Sequence, residues 1–144
     1  MRLWHYKLLP YLPDAQFKGQ LRELVAIMHD WRDKGQTNHL LINRVMERRK
    51  GALTDYFAGY CLAYKDRYGK PVSRSIRCQF KEFAPCLHYP DAPYPYWHND
   101  TYLRICMANL LEKHMGIGGS RITKEEWEVL LYGYKQITGE EYRV

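Results

Sequence analysis

Six histidines, four cysteines and a scatter of carboxylates are the groups in this chain with reactive or ligating chemistry. None falls into a recurrent catalytic spacing. There is no G-x-x-x-x-G-K-[ST] phosphate loop, no H-E-x-x-H, no G-x-S-x-G and no G-x-G-x-x-G. Cys61, Cys78, Cys86 and Cys106 form no C-x-x-C pair, so reduced structural thiols are expected rather than disulfides or a zinc site. His98 is read as a cap or loop residue. Arg22 and Glu23 stand side by side in an otherwise helical pattern. Relative to Leu21, Glu23 is turned by about 200° around the helix axis, away from the apolar stripe and toward the side of Gln16, Gln20 and Asp30. By periodicity alone it belongs to a solvated polar face.

The elements that would hold these groups are helical. After Pro13 and a capping Asp14, Phe17, Leu21, Leu24, Met28 and Trp31 recur at spacings of 4, 3, 4 and 3, and Gly35 ends the helix. The stretch 36–51, with its basic run up to Gly51, fits either a short helix or an irregular connection. "LTDYFAGYCLAYKDRYG" is a second helix with Leu53, Phe57, Tyr60 and Tyr64 inward, stopped by Gly69, Lys70 and Pro71. Residues 71–97 are expected to be loop-rich, since "YPDAPYPYW" contains three prolines. A third helix starts near Asn99 or Asp100 with Leu103, Met107, Leu110 and Leu111 inward. The last follows Thr123, where "TKEE" is a capping box, and presents Trp127, Leu130, Leu131 and Tyr134. The opening stretch is a strand-like lead-in. The fold class is all-α: a compact single domain over 1–144, three to four helices joined by long loops.

Composition narrows the partners. No run approaches the roughly 18 apolar residues of a membrane span, and His5, Tyr6, Lys7 and Pro10 interrupt any signal-peptide core; a cytoplasmic protein without a membrane partner is expected. The net charge of +6 is uneven. Residues 1–43 carry six basic and four acidic side chains (+2), residues 44–81 ten and three (+7), and residues 82–144 six and nine (−3). A basic middle suits a polyanionic partner, though lysine- and arginine-rich loops alone account for it equally well.

"MRLW" at the start, followed by "LPDAQFKGQLREL", resembles the pyrimidine dimer DNA glycosylase family, the bacteriophage endonuclease V type and its bacterial relatives. "TNHLLINR" is similar to an Asn-His segment of bacterial members, "LTDYFAGYCLAYKDRYG" to the second helix of the family, and "NDTYLRICMANLLEK" to its third. The resemblance implies an enzyme without metal or organic cofactor. The N-terminal amine attacks the sugar of a damaged nucleotide, a glutamate on the first helix assists, and the resulting imine permits strand cleavage by β-elimination. Here the nucleophile falls on Met1 and the glutamate on Glu23. Arg2 is too large for ordinary methionine removal, so Met1 is expected to stay, held in place by Leu3 and Trp4.

An α-amine of reference pKa about 7.7–8.0 is partly neutral near neutrality, unlike lysine at about 10.4. The resemblance further implies that Arg2, Arg22, Lys113 and the run Arg48, Arg49, Lys50 meet DNA phosphates, with Gln16 and His39 completing the DNA-binding set. The basic residue that the phage protein carries one turn after the glutamate is Ala26 here. The "YPDAPYPYW" loop offers wedges for opening the duplex, or packs on the core. The expected partner is damaged double-stranded DNA, met by a monomer. A non-enzymatic nucleic-acid-binding helical domain and a protein-interaction module stay open as alternatives.

Overall fold

Helix α1 spans Asp14–Lys34, as the apolar spacing requires. Phe17, Leu24, Met28 and Trp31 are buried and Leu21 is half-buried. Asp14 does not precede the helix as a cap but is its first residue. Its carboxylate pairs with Lys18 one turn on at 3.1 Å, and the Pro13 carbonyl accepts from the Phe17 N–H. Gly35 closes the helix at φ 72°, a left-handed conformation that glycine adopts at no steric cost.

The computed structural model describes residues 3–39, 42–43, 50–87, 94, 97–117 and 121–144. Among these there are five α-helices, one 3₁₀-helix and no strand. The class is all-helical as expected, with more helices than three or four. The 3₁₀-helix spans Tyr6–Tyr11, where a strand-like lead-in was expected. The other α-helices are α2 (Lys50–Tyr68), α3 (Arg74–Phe83), α4 (Asp100–His114) and α5 (Lys124–Thr138). The chain divides into two compact units: Met1–Leu3 with Gln20–Tyr94, and Trp4–Gly19 with Pro95–Val144.

In the first unit, α2 begins earlier than its apolar pattern indicates. Gly51, expected to end the preceding basic run, lies inside the helix and is buried. A Cβ there would stand 2.6 Å from the Pro85 carbonyl oxygen and 2.7 Å from the Leu87 side chain. The glycine is therefore used for close approach, not for termination. Leu53, Phe57 and Tyr60 are buried on the expected face, and Gly69 ends the helix at φ 70°.

Helix α3 lies in the stretch expected to be loop. Ser73 caps it by accepting from the Ile76 N–H at 3.3 Å. Ile76, Phe80 and Phe83 form a short stripe at spacings of 4 and 3, and Phe80 stacks on Phe57 with ring centres 3.8 Å apart and planes 11° apart. Burying one such ring contributes about 1.5–3 kcal/mol. That anchors a helix whose remaining residues are mostly polar. Beyond it, Thr54 donates to the Ala84 carbonyl at 3.0 Å.

In the second unit, Asn99 caps α4 by accepting from the Tyr102 N–H at 2.9 Å. Leu103, Cys106, Met107 and Leu110 are buried, while Leu111 is half-buried. Thr123 and Glu126 form the expected capping box at the start of α5, with bonds of 2.9 and 3.2 Å. Leu130, Gly133 and Tyr134 face inward, and Trp127 and Leu131 are half-buried. The 3₁₀-helix packs on α5, where the ring of Tyr11 occupies the space a Cβ on Gly133 would need.

The same unit holds two buried imidazoles. His98 Nδ1 accepts from the Tyr6 N–H at 3.1 Å, and His5 Nδ1 accepts from the Lys7 N–H at 3.2 Å. Both rings therefore carry their proton on Nε2 and are neutral. Burial drives the His5 pKa down to about 4 and that of His98 to about 2. His98 is thus a loop residue with a structural task.

Candidate active site and nucleic-acid interface

Successive residues of α1 settle the environment of Glu23. Gln20, Glu23 and Ile27 recur at spacings of 3 and 4 and so share one side of the helix. Gln20 is 1% exposed, Ile27 fully buried and Glu23 half-buried. The face expected to be solvated is thus largely withdrawn from water. In its interior, the Tyr56 hydroxyl of α2 donates to Gln20 Oε1 at 3.1 Å. Gln16, expected to touch DNA from the same polar side, is 8% exposed and belongs to the other unit.

A carboxylate in this setting has a defined chemical use. Partial burial strengthens its interaction with a developing cation, and remaining exposure on one side leaves it able to exchange protons. Arg22, immediately before Glu23 in the chain, is exposed. Leu3 is 1% exposed and belongs to the same unit as Glu23. Trp4, 5% exposed, is buried in the second unit. The two anchors expected next to the terminus are therefore both buried.

The other expected site residues divide sharply. Met1, Arg2, Arg48 and Arg49 lie outside the described residues, as does most of "YPDAPYPYW". Lys50 is the exposed first residue of α2, and its ammonium sits 5.6 Å from the centre of the buried Trp31 ring. A cation over an indole face is held without a carboxylate partner. Lys113 is half-buried near the end of α4 in the second unit.

His39 has a local role. Its Nδ1 accepts from the Ile42 N–H at 3.4 Å and its N–H donates to Thr37 Oγ1 at 3.0 Å. Asn43 returns to the same turn, accepting from the Thr37 N–H at 2.6 Å and donating to its carbonyl at 2.7 Å. The Asn-His segment is therefore a self-bonded turn that leaves only the Nε2 side of His39 for another task.

Two arrangements escaped the sequence. One is the Tyr56–Gln20 bond, whose signal was the 4, 3, 4 spacing of Gln16, Gln20, Glu23 and Ile27. The other ties α3 to α1: His29 Nε2 lies 2.7 Å from Gln79 Oε1, and Arg32 donates to the same oxygen at 3.4 Å. No disulfide joins any of the four cysteines. Among the described residues, no helix is long and apolar enough to cross a membrane, and no three His, Cys, Asp or Glu side chains are grouped as metal ligands.

No curated protein and no solved structure matches the chain. The family model described as pyrimidine dimer DNA glycosylase matches residues 1–73, half of the 144 residues, and covers α1 with Arg22 and Glu23 and the whole of α2. The chain belongs to the pyrimidine dimer DNA glycosylase family.

Proposed function

We propose that the protein is a DNA glycosylase with associated AP lyase activity, acting on damaged nucleotides, pyrimidine dimers above all, in duplex DNA. The observation that carries the proposal is a half-buried Glu23 on a largely buried face of α1, within the family match. The nucleophile is the α-amine of Met1. Its nitrogen forms a bond to C1′ as the bond from C1′ to the base breaks, and the base leaves with that electron pair and a proton. Opening of the sugar ring gives a C1′=N imine and a hydroxyl at O4′. Loss of a C2′ proton and rupture of the C3′–O bond then release the 3′ phosphate, and water frees the amine.

Glu23 stabilises the oxocarbenium-like sugar as its carboxylate and carries protons in the elimination. Arg2, Arg22, Lys50 and Lys113, with Arg48 and Arg49, bind phosphates. This binding is salt-dependent and largely independent of sequence. The cost of exposing the lesion's sugar is about a few kcal/mol, lowered where damage has already weakened stacking.

Borohydride trapping on abasic-site DNA tests the chemistry. A covalent adduct mapping to the Met1 amine is expected, and a few residues added ahead of Met1 should abolish it while DNA binding persists. Glu23→Gln should bind DNA normally and process lesions at least about 100-fold more slowly. Absence of an adduct from protein with a free terminus would remove the lyase. Full activity of Glu23→Gln would remove the carboxylate from the mechanism.

A further inference from the structure

The basic excess of residues 44–81 includes a helix face that the sequence pattern concealed. On α3, Arg74, Arg77, Cys78 and Lys81 fall within an arc of about 100°, and all four are exposed. The opposite side carries Ile76, Phe80 and Phe83, and the Phe80–Phe57 stack fixes the rotation of the helix about its axis. Its ends are fixed by the Ser73 cap and by the Thr54 bond to the Ala84 carbonyl. The basic face is therefore presented on a rigid element.

Its surroundings are mostly cationic, with the exposed Glu82 following Lys81 on the same helix. Lys65 and Lys70 are exposed, and Asp66 is the single acid among six basic residues from 65 to 81. Arg77 lies close enough to α2 for its charge to act on the Cys61 thiol. Elsewhere Lys18, Arg32, Lys34 and Lys135 each have a carboxylate partner. Among the described residues, Lys65, Lys70, Arg74 and Lys81 form no ion pair. Gathered like charges cost free energy, which a polyanion recovers by neutralising them. Arg74 and Lys81 stand about 10 Å apart along the axis, the rise of roughly three nucleotides on one strand.

We propose that this face of α3, extended by Lys65 and Lys70, is a second contact surface for the phosphate backbone of duplex DNA. Its α3 part lies beyond the family match, which ends at residue 73, and the proposal rests on the proposed action on DNA. It contributes affinity and footprint, not chemistry.

The test is the salt dependence of binding to a short undamaged duplex. Arg74→Ala/Lys81→Ala spares Arg77, whose guanidinium holds the Val72 carbonyl at 2.9 Å. The double variant should lower the slope of log K against log salt by about 1.8, for two lost phosphate contacts. Its single-turnover cleavage of abasic duplex at saturating DNA should be unchanged. Arg74→Lys/Lys81→Arg, which keeps the charge, should behave as the parent, and circular dichroism should match in all three. An unchanged slope in the double variant, with Arg22→Ala weakening binding, overturns the α3 surface and leaves the DNA reading standing. Failure of the parent to bind duplex at low salt overturns both. Loss of binding to anionic vesicles with duplex binding intact assigns the face to a lipid surface and overturns the proposal.

Discussion

Glu23 shows how little a residue's type says until its neighbours are known. Its side of α1 carries Gln16, Gln20 and Asp30, which in a sequence look like solvent-facing polarity. Burial of Gln20 and Ile27 turns that side inward, and a polar group taken from water must be bonded. The Tyr56 hydroxyl meets that requirement for Gln20. Tyr56→Phe keeps the ring and removes the donor, so it should destabilise the protein by about 1–2 kcal/mol, measured by urea denaturation. A loss under about 0.3 kcal/mol would mean that the hydroxyl does no more there than water. Arg22 and Glu23 were legible as a pair because the resemblance attaches to their position in the chain. Met1 and Arg2 were singled out on the same ground, and the roles of all four stand as proposals. The Tyr56 partner was not legible, because it arrives from 36 residues away.

At the scale of elements, apolar spacing located α1, α2, α4 and α5, and cap residues located their ends where one side chain meets one backbone group. Asn99 and Thr123 are of this kind, while Gly139 ends α5 through its own left-handed backbone at φ 77°. What failed was the meaning of two short signals. The stripe of α3 has only three apolar residues, with proline-rich sequence soon after, and the Phe57–Phe80 stack stabilises it from outside. In the sequence Gly51 marks only the end of a basic run, in a stretch that fits either a short helix or an irregular connection. Inside α2 it instead makes room for the chain at Pro85 and Leu87. Gly51→Ala should gain about 1 kcal/mol of helix propensity and lose more to overpacking, which costs about 1–3 kcal/mol. The Pro85 carbonyl is backbone and yields poorly, so a net loss is expected in thermal melts. A more stable variant would show that 85–87 shifts freely.

For the whole molecule, the consequence open to measurement is the dependence of stability on pH. The basic middle and acidic end of the sequence say nothing about it, since it follows from two imidazoles buried in the neutral form. In the folded chain the His5 pKa lies at about 4, lowered first by burial and then by Lys7, against bonding to the His98 backbone and the charge of Asp100. His98 is lowered to about 2 by burial and by His5. In the unfolded chain both titrate near 6.5. Above that value both states are neutral and the contribution is complete. As pH falls below about 6.5 the unfolded chain takes up protons that the folded one refuses, and stability drops by about 1.4 kcal/mol per pH unit for each. The His5 share is lost by about pH 4, where the folded ring itself titrates, and the His98 share continues below that. Urea titrations between pH 7 and 5 should therefore show stability declining before most carboxylates protonate. His98→Gln retains an acceptor for the Tyr6 N–H, so it should be less stable at pH 7 yet decline less steeply. A flat profile from pH 7 to 5 in the parent would mean that His5 and His98 accept protons without leaving the fold.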